Sequence, residues 1–112
     1  MKKFIALKEN RNANFLRIET HYSLGGYNCF THKTEPRGYY LSVSPVQRYE
    51  RDGVSFESYT AFSGVKLLLL EVSRKSKKAE EAAEKIASEK EPELIQYICA
   101  KNGIEVLNNE QL

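Results

Sequence analysis

Glu19, His21 and His32 carry the most easily named chemistry in this 112-residue chain. Two imidazoles and a carboxylate can hold a metal ion with one coordination position left open. They share a face if the chain turns back at Gly25-Gly26, a pair suited to a tight hairpin turn. That register puts Tyr22 across from Cys29, His21 across from Phe30 and Glu19 across from His32. Nothing nearby would orient the rings for proton transfer, and two solvated histidines are the more ordinary reading. The sequence assigns no metal, no cofactor and no catalytic residue. It contains no phosphate-binding loop, dinucleotide fingerprint, HExxH, CxxC or nucleophile elbow. The chain therefore reads as a binding module, not as an enzyme.

Aromatic rings mixed with cations form a second constellation. Side-chain alternation along strands places Phe4, Lys8, Arg17, His21, Phe30, His32, Tyr40 and Tyr59 on one sheet face. Bases stack on exposed rings at about 1–3 kcal/mol each while cations track the phosphates, so such a face suits single-stranded DNA or RNA. In "TEPRGYYLSVSPVQR" two tyrosines are adjacent, and a strand points them to opposite faces. Tyr39 is the expected core residue and Tyr40 the expected stacking residue, with Arg37 and Arg48 near the strand's ends. The expected nucleic-acid contacts are Lys8, Arg17, Phe30, Arg37, Tyr40 and Tyr59. Arg74, Lys75, Lys77 and Lys78, from "RKSKK", add secondary phosphate contacts. The expected binding module is a homodimer. The competing reading is a protein–protein adaptor, with the same face meeting a protein surface or a second copy, and most charge runs are merely solvated helix faces.

The elements that must position these residues follow from periodicity. "KFIALK", "FLRIETHYSL", "YNCFTH", "YYLSVSPV" and "VSFESYTAF" read as strands, making residues 3–62 an antiparallel sheet of four or five strands. Leu24, Tyr22, Tyr27 and Cys29 are expected on its buried face, Val54 and Phe56 inward, and "QRYERDG" in a loop. Val65, Leu69 and Val72, followed by Ser76, Ala79, Ala83 and Ile86, recur at helical spacing, which predicts a long helix over 64–88 capped by Ser63. A break at "SRKS", with Ser76 capping a second helix, is the rival reading. Glu91-Pro92 predicts a boundary, then a short helix over 92–102 stopped by Gly103, and a fraying tail over 105–112. The fold class is α+β in a single domain, the sheet packing one face on the helices.

Composition bounds the rest. Net charge is +2, with nine Lys/Arg against six Asp/Glu in residues 1–62 and eight against nine afterwards. That is a mildly basic sheet half, well short of a strong nucleic-acid footprint. No apolar run reaches the ~20 residues of a membrane span, and the apolar part of "MKKFIALKEN" is too short for a signal sequence. Cys29 and Cys99 read as buried thiols in a reducing compartment, so the expected location is the cytoplasm, with no membrane partner.

The pattern "GGYNCFTHKTEPRGYYLSVSPV", then "YTAFSGVK" and "SRKSKK", resembles small uncharacterised proteins of conjugative and other mobile elements in gut anaerobic bacteria. The resemblance covers Tyr27 to Lys78 and implies a bacterial cytoplasm and genes that move DNA. Under it, the competing adaptor reading becomes a host-modulating protein of a mobile element. At the level of strand order and following helix, the chain also resembles the Whirly-type single-stranded-DNA-binding coactivators. That second resemblance implies strand binding and dimerisation, by analogy of fold alone.

Overall fold

The computed structural model describes residues 2–8, 10, 12–29, 32–60 and 62–107, with the backbone alone for Tyr59. Among the described residues seven strands precede one helix: β1 (Lys2–Ala6), β2 (Phe15–Ser23), β3 (Gly26–Asn28), β4 (Lys33–Glu35), β5 (Gly38–Arg51), β6 (Val54–Tyr59), β7 (Val65–Glu71) and α1 (Lys77–Asn102). The fold is α+β. An antiparallel five-stranded sheet runs β1-β2-β5, and β5 then pairs with β6 along one part of its length and β7 along another.

The central strand is β5, and its length organises the molecule. Gly38–Val46 pairs with β2 from Ser23 back to Phe15, while Val46–Arg51 runs on to pair with β6. "QRYERDG" is therefore mostly strand. Asp52 and Gly53 make the turn, both at positive φ, the two-residue geometry that Asp-Gly favours. Asn14 prolongs the β2 ladder with its side chain: its carboxamide donates to the Arg48 carbonyl (2.6 Å) and accepts from the Arg48 N–H (2.7 Å).

The expected return strand after Gly25-Gly26 does not lie on β2. Gly26–Asn28 pairs instead with Lys33–Glu35 as a separate two-stranded sheet. β5 occupies the place beside β2, because Leu16, Ile18 and Tyr22 there meet Pro45, Val43 and Tyr39. The hairpin facing of Glu19 with His32 is thus absent. Leu24, Tyr27 and Cys29, expected inside, are exposed.

The stretch 64–88, expected as one helix, divides into a strand and the first half of a helix. Val65–Glu71 is a strand, paired with Gly38–Val43 and interrupted by a bulge opposite Tyr39/Tyr40. Val65, Leu67 and Leu69 are half-buried while Lys66 and Leu68 are exposed, which is a period of two. Four consecutive leucines satisfy a helical stripe and a strand equally well, so that run carries no period of its own. Gly38 permits the close approach: a Cβ there would collide with the Leu70 carbonyl oxygen.

The rival reading of the helix start is the observed one. Ser76 is extended, and its hydroxyl accepts from the Ala79 N–H (3.1 Å). One helix continues past Pro92 to Gly103, so the expected helix over 92–102 is not separate from the one before it. Proline inside a helix costs about 3 kcal/mol. Buried residues on both sides of it, Ala83 and Ala87 before and Ile95 and Ile98 after, seat the two halves on the same sheet face and offset that cost.

Leu16, Ile18, Leu41 and Val43 complete the core under α1. Beyond Gly103, Ile104 and Val106 fold back into it. Leu7 bridges Val106, and Lys8 N–H donates to the Glu105 carbonyl. The first part of the expected fraying tail is thus tied to the end of β1, and residues 108–112 lie outside the described ones. Val54 and Phe56, expected inward, are 54% and 42% exposed. Their hairpin runs past the part of the sheet that α1 covers.

Candidate nucleic-acid interface

Of the predicted rings and cations, the sheet face turned away from α1 carries Phe4, Arg17, His21 and Tyr40, and they are engaged with one another or with neighbouring side chains. Arg17 forms ion pairs with Glu19 (2.7 Å) and Glu57 (3.4 Å). The Arg48 guanidinium lies 4.1 Å from the centre of the Phe4 ring and also reaches Phe15. Lys66 stands 4.4 Å over the Tyr40 ring and within 3.5 Å of Glu35. Stacking a base here would first require breaking these contacts.

Tyr40 itself is buried, at 3% exposure. Alternation along β5 is as expected, yet both tyrosines are covered, because the two faces of the sheet are each sealed at this point. Tyr39 packs edge-on against Tyr22 and its hydroxyl reaches the Ser76 carbonyl. On the other face Tyr40 lies between His21, stacked at 6.1 Å, and Lys66, and its hydroxyl donates to the Pro36 carbonyl (2.6 Å). Desolvation, with Glu35 and Glu71 adding to it, pushes the Tyr40 phenol above its usual value. Burial lowers the His21 pKa from the ordinary value near 6.5, with the Glu19 charge opposing that shift. A neutral His21 at pH 7 adds no cation to this face.

Beside them Arg17, Glu19, His21, Ser42 and Ser44 line a shallow hollow of about 240 Å³ in which both charge signs are present. His32 lies apart in the β3–β4 turn and shares a hydrogen bond with the Tyr27 hydroxyl (3.0 Å). Among the described residues no group of His, Cys, Asp and Glu is arranged to hold a metal.

The remaining predicted residues separate by position. Lys8 is spent at the opposite end of the molecule, 2.8 Å from Glu105, whose carboxylate is held below its usual range by that hydrogen bond. Phe30 and the Tyr59 side chain lie outside the described residues. Arg37, Arg74 and Lys75, by contrast, converge. With Tyr22, Leu24 and Ser73 they line an open groove of about 450 Å³ at the start of α1.

Three segments build this groove. Arg37, in the link from β4 to β5, is anchored by its Nε to the Leu24 carbonyl (3.1 Å) and by Nη1 to the Ser73 carbonyl (3.3 Å). The β7–α1 connection supplies Arg74 and Lys75, and Lys75 reaches within 5.7 Å of the Tyr22 ring. Lys77 and Lys78 open α1 next to it, both exposed. Among the described residues these five cations enter no ion pair. Glu80 and Glu84 border the neighbouring hollow that Lys75 also lines, so the positive surface has an acidic boundary along the helix.

Sequence reasoning named all five cations but made four of them secondary. It missed Tyr22 and Leu24 as groove walls, since the assumed hairpin had turned both inward. The signal that could have found the groove was the rival cap at Ser76, which puts "RK" in the loop before a helix and not in its middle. No protein-family model, curated protein or solved structure matches this chain.

Proposed function

We propose that this protein is a non-enzymatic module that binds a single strand of DNA or RNA by its basic end. The observation that carries this reading is the convergence of Arg37, Arg74 and Lys75, with Tyr22 and Leu24, on one open groove at the start of α1. Unpaired cations release counterions when they meet phosphates, which is the usual source of such affinity. The apolar wall gives a base or ribose something to rest on. Leu24, 70% exposed, is the most open large apolar side chain among the described residues. The sheet face is a weaker candidate, because its cations already face carboxylates or rings.

Fluorescence titration with a labelled single-stranded oligonucleotide tests the proposal. Three phosphate contacts give a log–log salt slope of about −2, hence about twentyfold weaker binding between about 50 and 200 mM salt. The double substitution Arg74→Ala, Lys75→Ala reduces that slope to about −0.7 without unfolding the chain. Binding that ignores salt, or that survives the double substitution unchanged, contradicts the reading.

A further inference from the structure

From the free edge of β6 we infer a self-association site: two copies of the chain pair their β6 strands antiparallel about a two-fold axis at Phe56. The inference rests on the opposite end of the molecule from the basic groove and stands independently of strand binding.

The outer edge of β6 is open for pairing. Arg51 and Val54 flank a two-residue turn, so they and Tyr49/Phe56 exchange backbone hydrogen bonds within the hairpin. By alternation, Ser55 and Glu57 aim their N–H and C=O groups away from β5. Among the described residues no group meets them. Edge strands are ordinarily guarded by lysine, proline or a bulge. The β1 edge has such guards, since it starts at Lys2-Lys3 and its far end is bridged by Val106. "VSFESY" has no lysine, proline or bulge, and its single charge, Glu57, is drawn toward Arg17.

The register selects a second copy as the occupant. In a continuous sheet, residues directly opposite must point to the same face, so the axis passes through a residue position. Centring on Glu57 would set two carboxylates opposite each other, which is unfavourable. Centring on Phe56 sets Ser55 opposite the second copy's Glu57 and Val54 opposite its Ser58. The two Phe56 rings then meet at a non-hydrogen-bonded pair, where side chains approach most closely. Within one chain Tyr49 and Phe56 already stack at 5.5 Å and 18°, with Tyr49 50% exposed. A second copy continues that stack into a ladder of four rings across four strands.

Sedimentation of the full chain over rising concentration tests this. The expected result is a monomer–dimer equilibrium that Ser55→Pro weakens at least tenfold, because it deletes an outward N–H that the monomer does not use. Should Ser55→Pro fail to fold, Phe56→Lys, at a site already exposed, is expected to give the same loss with an unchanged circular dichroism spectrum. Position is read separately. With Cys29 and Cys99 replaced by serine and alanine, Phe56→Cys alone forms a disulfide-linked dimer under mild oxidation, and Lys85→Cys does not. A chain that stays monomeric at every concentration, or a dimer unaffected by both edge substitutions, overturns the proposal.

Discussion

Tyr40 shows how one residue can look like a contact and act as a support. Its ring fills the space between His21 and Lys66, and its hydroxyl satisfies the Pro36 carbonyl ahead of β5. Replacing it with alanine removes a buried ring, so Tyr40→Ala should cost about 3–5 kcal/mol in chemical denaturation. Tyr40→Phe, losing only the hydrogen bond, should cost about 1 kcal/mol. A stable Tyr40→Ala variant that has lost only strand binding would mean the ring is a contact after all. Side-chain alternation made Tyr39 and Tyr40 point apart, and the sequence carried that much. It did not carry the covering of the second face, which depends on Lys66 arriving from a strand that reads as a helix.

At the scale of elements, β7 and the start of α1 decide where the cations stand. If Gly64 began a helix, Arg74 to Lys78 would be spread around its middle turns. Because Val65–Glu71 pairs with β5 and Ser76 caps α1, Arg74 and Lys75 lie in a connection beside Arg37. Gly38 is the hinge of this arrangement, since any side chain there meets the Leu70 carbonyl. Gly38→Ala should destabilise the fold by about 1–3 kcal/mol or more, as overpacking against backbone does. It should also weaken strand binding, because β7 shifts and carries its connection with it. A Gly38→Ala protein of unchanged stability would refute that pairing. β2 and the first half of β5 were legible because their alternation is clean, and helical chain over 79–88 and 92–102 was legible, but not its continuity through Pro92. The β2–β5 register was not: Gly25-Gly26 is a strong local hairpin signal, and the non-local pairing that overrode it leaves no mark in a single segment.

Across the whole molecule the long β5 separates two ends. One end carries unpaired cations around a groove; the other projects the Tyr49–Phe56 stack and a free strand edge. Among the described residues no helix is long and apolar enough to cross a membrane. If copies join at β6, the two basic ends point away from each other, and each dimer offers two separated strand sites. The proposed function depends on which surface meets the strand. Amide chemical-shift mapping on adding a single-stranded oligonucleotide reads this directly. Perturbations gathered at Leu24, Arg37 and Ser73–Lys78, with Arg17, His21 and Ser42 left unchanged, are the predicted result. Perturbations centred on Arg17, His21 and Ser42, or none at all, would contradict it.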